Sequence, residues 1–166
     1  MAELWELVDI NKKKTGVIHE RGKENSIPHG MYHMVVDIWV KNLNGEILLT
    51  QRSPKKSYGL LWECSGGSVI LGEKCEEAAR RELFEETGIK ANENELIYIG
   101  DTVSSYWITE TYLYKINAKD INLKLQEEEV VDAIWISPED IESKKDIMVD
   151  SVWKRYCRYK DVINNI

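Results

Sequence analysis

Alternating apolar and polar residues between positions 32 and 52 predict two β-strands joined by a tight turn. The first strand, Tyr32 to Lys41, is rich in β-branched and aromatic residues, and the second runs from Glu46 to Arg52. Asn44-Gly45 stands between them, and this dipeptide is typical of a two-residue hairpin turn. We therefore expect this hairpin to be central to a β-sheet.

Further strands are predicted on both sides of the hairpin by the same alternation. They cover Leu4 to Asp9, Val17 to Glu20, Leu61 to Ser65, Leu96 to Val103, Trp107 to Ile116 and Ala133 to Ile136. The polar stretch from Arg21 to Gly30 contains Pro28 and is expected to be a loop.

Helices are predicted between and after these strands. Residues 73–87 lack proline and glycine and are rich in good helix formers, and Gly88 is a natural C-terminal stop. Ser137-Pro138 is typical of a helix start, and a last helix is expected from Ser151 to Val162. Strands mixed with helices in this order predict an α/β protein, an α/β/α sandwich with a mixed sheet.

The first helix carries an acidic face. Glu82, Glu85 and Glu86 fall within about one third of the helix circumference because they are three and four residues apart. Apolar residues such as Ala79 and Leu83 project onto the same side as Glu82 and Glu86. The carboxylates are therefore expected to face the protein body, although a solvated acidic face is the alternative.

Carboxylates grouped in this way require a cation. At about 5 Å and an effective dielectric constant near 20, each pair repels by about 3 kcal/mol. Arg81 neutralises only one charge, so a divalent ion is expected, and oxygen ligands favour Mg²⁺, with Mn²⁺ as the alternative. The cysteines, at positions 64, 75 and 157, lack the spacing of a structural zinc site.

Length and composition limit the class of protein. A chain of 166 residues predicts one domain, 1–166, in which 1–29 form an N-terminal hairpin and loop extension. A net charge of −7 without a basic block argues against nucleic acid and anionic membranes as partners. The N-terminus lacks a targeting pattern and the cysteines are scattered, so a cytoplasmic protein is expected. Trp5 and Leu7 are candidates for contact with a second subunit in a homodimer.

The run from Gly67 to Ile89 resembles the signature of the Nudix hydrolases, the MutT-like family. That signature is Gly, five free residues, Glu, seven free residues, then Arg-Glu-aliphatic-any-Glu-Glu-any-Gly-aliphatic. Its positions are filled here by Gly67, Glu73, Arg81, Glu82, Leu83, Glu85, Glu86, Gly88 and Ile89. The resemblance covers about residues 30 to 160. It implies the fold predicted above and hydrolysis of a pyrophosphate bond in a nucleoside diphosphate linked to another group, X.

The resemblance also implies roles for individual residues. It makes the carbonyl of Gly66 and the carboxylates of Glu82, Glu85 and Glu86 ligands of the metal. Gly67, Glu73, Arg81 and Gly88 become structural residues of the motif, and Glu73 with Arg81 braces the loop.

The general base is left open between two glutamates. By its distance ahead of Trp135, Glu129 in the loop from Leu125 to Val130 resembles the extra glutamate that some relatives use as ligand or base. Glu82 is the alternative, and the loop containing Glu129 is equally compatible with a solvated surface. The predicted catalytic residues are therefore Glu82, Glu86 and Glu129.

Substrate contacts are predicted outside the motif. Arg52 and Lys55, with the neighbouring Lys56, follow the hairpin and are candidates for phosphate contacts, although such side chains are more often plain surface. Tyr106 and Trp107 are candidates for stacking on a base, with core packing as the alternative. No proline occurs between positions 54 and 138, which weakly disfavours ADP-ribose by comparison with relatives that act on it. The identity of X stays open.

Isopentenyl diphosphate isomerase, a different class of enzyme, is the rival resemblance. Residues 32–63 are similar to its early region, with His33 at the place of a metal ligand. Gly66 occupies the place of its acid/base cysteine, and Cys64 lies two residues away. The intact hydrolase signature favours hydrolysis, and His33 is expected to be structural.

Overall fold

Most strands and helices form in the order that the sequence predicts. This computed structural model describes residues 2–117 and 121–166. The strands are β1 (Leu4–Val8), β2 (Lys14–Glu20), β3 (His33–Asn42), β4 (Ile47–Arg52), β5 (Trp62–Glu63), β6 (Ser65–Ser68), β7 (Ile97–Val103), β8 (Trp107–Ile116) and β9 (Val130–Ile136). The helices are α1 (Cys75–Thr87) and α2 (Asp150–Asn165), with short 3-10 segments at Glu24–Ser26 and Ile141–Ile147. Among them, none is both long and apolar enough to cross a bilayer.

A mixed sheet forms the centre of the molecule. Its strand order is β5-β4-β3-β8-β7, with β6 beside β3 and β9 beside β4. Strands β3 and β8 run parallel, and the other paired strands of this sheet are antiparallel. Strand β4 pairs with β3 only at Lys41 and Ile47 and then continues along β9. The predicted hairpin is therefore central through β3, while β4 diverges from it.

One helix covers each face of this sheet. Successive side chains of β3 point to opposite faces, so the strand contributes to both core layers. Its even-numbered residues, such as Val36 and Ile38, pack in one core cluster with Ala79 and Leu83 of α1. Trp39 packs on the opposite side with residues of α2. The predicted α/β/α sandwich is confirmed.

An ion pair fastens α2 to β3 beneath this second layer. Nε of Arg155 donates to a carboxylate oxygen of Asp37. The Asp37 residue is 5% exposed and the Arg155 side chain 12%. Both charges are thus withdrawn from water and matched one to one.

Strands β1 and β2 form a separate two-stranded sheet. Val8 joins it to the domain by backbone hydrogen bonds with Tyr32. Trp5 stacks on His33 with ring centroids 3.7 Å apart, and His33 Nε2 lies 3.1 Å from Ser68 Oγ. Burial lowers the pKa of His33 to about 3, so this side chain is neutral and structural, as predicted.

Trp5 and Leu7 do not provide a free surface for a second subunit. Trp5 is 3% exposed and Leu7 0%, because both side chains are buried within the same chain. The prediction that they dock on another copy is therefore wrong, while the homodimer itself stays a prediction.

Several element boundaries differ from the sequence prediction. Helix α1 begins at Cys75, two residues later than expected, and α2 extends beyond Val162 to Asn165. No helix starts at Ser137: its carbonyl and hydroxyl accept the N–H of Asp140 in a turn, and only a 3-10 segment follows. The strand predicted to end at the glycines instead resumes as β6 and passes through them.

Candidate active site

The C-terminal half of α1 lies against two glycines of β6. A Cβ atom on Gly67 would be 2.3 Å from Cδ of Glu82, and one on Gly66 would be 2.3 Å from the carbonyl oxygen of Val36. Neither separation is possible for a real side chain, so a larger residue at position 67 would displace the Glu82 carboxylate, and one at position 66 would force β6 away from its pairing with β3. The absence of a side chain at Gly67 therefore lets the Glu82 carboxylate approach the backbone of the strand.

Glu86 is the most deeply buried of these carboxylates. It is 3% exposed, and the backbone N–H of Gly66 is 3.3 Å from its Oε2. Burial raises the pKa of Glu86 well above its usual value, and the nearby negative charges of Glu63 and Glu82 raise it further. The arrangement leaves a buried carboxylate in need of positive charge.

Arg81 holds three other carboxylates of the motif. Its Nε and Nη2 donate to Glu73 at 2.8 and 3.0 Å, and Nη2 also donates to the carbonyl of Ser68 at 2.9 Å. Its Nη1 donates to Glu82 at 2.8 Å and to Glu85 at 3.1 Å. Burial nevertheless raises the pKa of Glu82, because the opposing effect of Arg81 is smaller. One guanidinium is therefore shared among more negative charge than it neutralises.

The start of α1 sets Glu73 for this contact. Gly72 has φ of 86°, in the left-handed region, and Glu73 stands before the first helical residue. The N–H of Lys74 donates to Glu77 at 2.9 Å, which stabilises the first turn. Glu73 thus lies outside the helix, from where its carboxylate meets Arg81.

Glu63 and Arg52 line the site from the neighbouring strands. Nη1 of Arg52 donates to both carboxylate oxygens of Glu63, at 2.7 and 2.8 Å, and its Nε donates to the carbonyl of Ser57 at 2.8 Å. Burial raises the pKa of Glu63, against the effect of Arg52. Arg52 therefore lies beside the acidic cluster with most of its donors already engaged, and its contact with a substrate phosphate stays a prediction.

Sequence reasoning did not single out Glu63. The signal was present, because glutamate is depleted in strands and alternation places residue 63 on the face opposite the buried Cys64. A charged residue at such a position in a short strand indicates a partner or a function.

Glu129 is connected to the acidic cluster by an ion pair with Lys56. Its loop runs beside the end of α1, where the N–H of Gln126 donates to the carbonyl of Glu86 at 3.3 Å. The Glu129 carboxylate forms an ion pair with Lys56, and the positive charge of Lys56 acts on the pKa values of Glu82 and Glu86 in the lowering direction. Lys55, the predicted phosphate contact, is exposed. The structure thus brings Lys56 into the acidic cluster.

Comparison with known proteins agrees with this geometry. The NUDIX domain family model matches residues 31–157. The chain belongs to the Nudix family. It is similar to an uncharacterized Nudix hydrolase of Listeria monocytogenes, at 33% identity over 149 residues, which covers 85% of this chain and 83% of that protein. The Nudix protein is therefore a hydrolase that acts on diphosphate bonds, as the signature implied.

Solved structures share the Nudix fold. A MutT protein from Methanosarcina mazei aligns with a TM-score of 0.64 at 23% identity, over 81% of this chain and 96% of that one. A bifunctional NMN adenylyltransferase/ADP-ribose pyrophosphatase from Francisella tularensis, complexed with AMP and a manganese ion, aligns with a TM-score of 0.62 at 23% identity. That alignment covers 80% of this chain and 42% of the Francisella protein. At these identities the comparisons establish the fold.

Tyr106 and Trp107 lie apart from the acidic cluster of this Nudix protein. Trp107 pairs with His33 at the start of β3, whereas Gly66 pairs with Asp37, four residues further along the same strand. This separation is about 13 Å along the strand. Base stacking by the two aromatic residues stays a prediction.

The isomerase resemblance finds little support in the surroundings of Cys64. This thiol is 2% exposed and packs in the core cluster of the α2 face. Burial raises its pKa well above the usual value, which makes it a poor acid/base group. His33, the other isomerase-like residue, is covered by Trp5.

The glutamates of α1 supply the chemistry for a divalent cation. In the part of the chain that the structure describes, no three His, Cys, Asp or Glu side chains are already gathered as a ready metal site. The hydrogen bonds account for this, because Arg81 draws Glu82 and Glu85 toward itself while Glu86 turns to Gly66. A buried Glu86 beside like charges still fits a hard cation with oxygen ligands. The Nudix family in general uses a divalent metal.

Proposed function

We propose that this Nudix enzyme uses Mg²⁺ to hydrolyse the pyrophosphate bond of a nucleoside diphosphate linked to another group. The observation that carries the proposal is Glu86, a carboxylate 3% exposed beside Glu63 and Glu82. A buried carboxylate without a matching cation is costly to the fold, and such costs concentrate at functional sites. A divalent ion removes that cost.

The proposed ligands are the carbonyl oxygen of Gly66 and the carboxylates of Glu82, Glu85 and Glu86. A bound ion supplies Lewis acidity, which activates a water molecule and offsets charge on the phosphates. Arg81 has two other acceptors, Glu73 and the Ser68 carbonyl, so it keeps its place when Glu82 and Glu85 turn away. The brace and the ligands thus act as one unit.

We assign the general base to Glu129. Its ion pair with Lys56 keeps the carboxylate near the acidic cluster. A substrate phosphate would offer Lys56 a second anionic partner and so release Glu129 to take a proton from the attacking water. Glu82 is the alternative base, although it already accepts from Arg81.

The proposed substrate class is a nucleoside diphosphate linked to X, and the identity of X stays open. The Francisella neighbour is an ADP-ribose pyrophosphatase, whereas this chain has no proline between positions 54 and 138, and that absence weakly disfavours ADP-ribose. Small-molecule diphosphates are thus the proposed partners. The free thiols of Cys64, Cys75 and Cys157 support a reducing, cytoplasmic setting.

A panel of substrates tests this proposal. ADP-ribose, dinucleoside polyphosphates, coenzyme A and isopentenyl diphosphate are incubated with enzyme and Mg²⁺ in ¹⁸O water, and product masses are recorded. We expect cleavage of at least one nucleoside diphosphate derivative with ¹⁸O in a single phosphate product. Turnover without Mg²⁺, or isomerisation of isopentenyl diphosphate without phosphate release, contradicts the proposal.

Two conservative variants then separate the candidate bases. Glu129→Gln is expected to lower kcat by about 10²-fold or more while leaving the affinity for Mn²⁺ unchanged. Glu82→Gln is expected to weaken Mn²⁺ binding, measured by electron paramagnetic resonance. If Glu129→Gln keeps its kcat, the base is not Glu129.

A further inference from the structure

A cavity of about 700 Å³ lies on the α1 side of the sheet, beyond the glycine pair. Val8 of the N-terminal hairpin, Met34 of β3, Tyr112 of β8 and Cys75 of α1 each contribute to its lining. The hairpin precedes residues 31–157, which match the Nudix model. This cavity therefore depends on an element added to the domain, and its volume is within the range of small-molecule sites.

Lys12 closes one side of this cavity. Its Nζ donates to Asp101 at 2.8 Å and to Glu110 at 2.9 Å, and it lies 5.3 Å from the ring centroid of Tyr98. Lys12 has φ of 62°, a left-handed conformation that is unfavourable for lysine. A strained turn residue thus reaches across to strands β7 and β8 and holds the hairpin over the cavity.

Most charged groups that line the cavity already have partners. Lys14 pairs with Glu6 at 2.8 Å, and Glu73 accepts from Arg81. The hydroxyl of Tyr112 donates to Glu110 at 2.6 Å. The ammonium groups of Lys12 and Lys14 are thus neutralised. Lys74 and Glu76, at the start of α1, also line the cavity; both are exposed and their charges are opposite, so the lining offers no group of unpaired charges of one sign.

Much of the remaining lining is apolar or aromatic. Val69 and Ile70 come from the loop before α1, opposite the hairpin residue Val8. Tyr98 and Tyr112 meet edge to face with ring centroids 5.9 Å apart. Such walls accept a flat ring system by apolar contact and stacking.

From this lining we infer that the cavity is a binding site for an uncharged molecule with a flat, mainly apolar ring system. The site is separate from the proposed diphosphate site, because it offers no unpaired cationic cluster to a phosphate. Its occupation does not depend on hydrolysis, and it is tested by binding alone.

Two matched dyes test the class of ligand. N-phenyl-1-naphthylamine is uncharged, and 8-anilinonaphthalene-1-sulfonate has the same ring system with one negative charge. Titrated into the full chain, the uncharged dye is expected to show saturable fluorescence enhancement at one site. The sulfonate is expected to bind at least about tenfold more weakly, because burying its charge is unfavourable. Absence of saturable binding, or equal affinity for both dyes, overturns the inference.

Two neighbouring variants test the location. Ile70 lines the cavity and is 37% exposed, whereas Leu71 is 44% exposed and is not among the described residues that line it. Ile70→Trp is expected to fill the cavity and weaken dye binding at least about tenfold, and Leu71→Trp is expected to leave it unchanged. Equal binding by the two variants places the dye elsewhere and overturns the inference.

The native cysteines give a second measurement without any mutation. Cys75 lines the cavity, Cys157 is exposed and Cys64 is buried. Burial raises the pKa of Cys75 to about 12, so its alkylation by N-ethylmaleimide is slow and is followed at mildly alkaline pH by peptide mass. Saturating uncharged dye is expected to slow alkylation of Cys75 severalfold and to leave Cys157 unaffected. An unchanged rate at Cys75 contradicts the inference even if both tryptophan variants fail to fold.

Discussion

Both faces of the central sheet bury carboxylates, but they neutralise them to different extents. On the α2 face, Asp37 is 5% exposed and is matched by the guanidinium of Arg155. On the α1 face, Glu86 is 3% exposed and meets a backbone N–H at 3.3 Å. The negative charges of Glu63 and Glu82 act on it more strongly than the positive charge of Lys56, which already pairs with Glu129. Asp37 and Glu86 are therefore about equally buried, but only the charge of Asp37 is matched by a cation.

We take this difference to separate a structural charge, Asp37, from the proposed functional one, Glu86. Removal of one member of a matched buried pair leaves an isolated charge, which is strongly destabilising. Removal of a charge from an unmatched cluster relieves repulsion between like charges. It therefore lowers the activity that depends on the cluster without lowering stability. Substitutions on the two faces are therefore expected to act on different properties.

The largest expected effect is loss of catalysis in Glu86→Gln. We expect kcat/KM with Mg²⁺ to fall by about 10³-fold or more, because a proposed metal ligand loses its charge. In the presence of a chelator, the variant is expected to unfold at the same or a higher temperature than wild type. Near wild-type activity, or a clearly lower unfolding temperature, would remove the distinction between the two faces.

On the opposite face, Arg155→Met is expected to act on stability. It leaves Asp37 buried and unpaired, so the free energy of unfolding in urea should fall by about 3 kcal/mol. Turnover by the folded enzyme should change little. The double variant Asp37→Leu with Arg155→Met serves as control and is expected to recover most of the loss, since an apolar pair replaces the ion pair. A double variant as unstable as the single one would show that Arg155 acts through something other than its charge.

Gly67→Ala sharpens the comparison at the backbone. The added Cβ would meet Cδ of Glu82 at 2.3 Å, so we expect the glutamate to be displaced and kcat/KM to fall by about 10-fold to 100-fold. Gly72→Ala is the matched control, because its φ is 86° but nothing lies within 4 Å of the added atom. It should cost about 1 kcal/mol of stability and little activity. A reversed pattern would place Glu82 outside the site.

The smallest effect concerns pH. The pKa of Glu86 is raised in the folded chain above the ordinary value of 4.5, so the folded state binds the proton more tightly than the unfolded state. Its stabilising contribution is fully present below that ordinary value and is lost as pH rises through the folded pKa. With chelator present, wild type should therefore lose stability relative to Glu86→Gln as pH rises above 4.5, measured as the free energy of unfolding at a series of pH values. Parallel pH profiles would contradict this assignment.

Local patterns in the sequence predicted most elements and the inward-facing Glu86, whereas Glu85, expected on the same inward face, is exposed in the structure. Helical spacing placed Ala79, Leu83 and Glu86 on one side of α1, and the structure buries all three. Gly88 stops the helix at φ of 75°. These features depend on neighbouring residues, so they can be derived from the sequence alone.

Contacts between distant residues could not be derived in this way. Asp37 and Arg155 are 118 residues apart, and Lys56 meets Glu129 only because two loops converge. The choice between Lys55 and Lys56 depends on a turn held by hydrogen bonds to Ser53. Ser137 followed the rule for a helix cap, but its bonds close a turn instead.

Arg81 has a consequence for the enzyme between turnovers. Its guanidinium already touches Glu82 and Glu85, so a cation stands beside the acidic helix whether or not the proposed divalent ion is bound. Under the proposed function, Arg81 would act as a resident counterion that lets the folded chain lose and regain that ion.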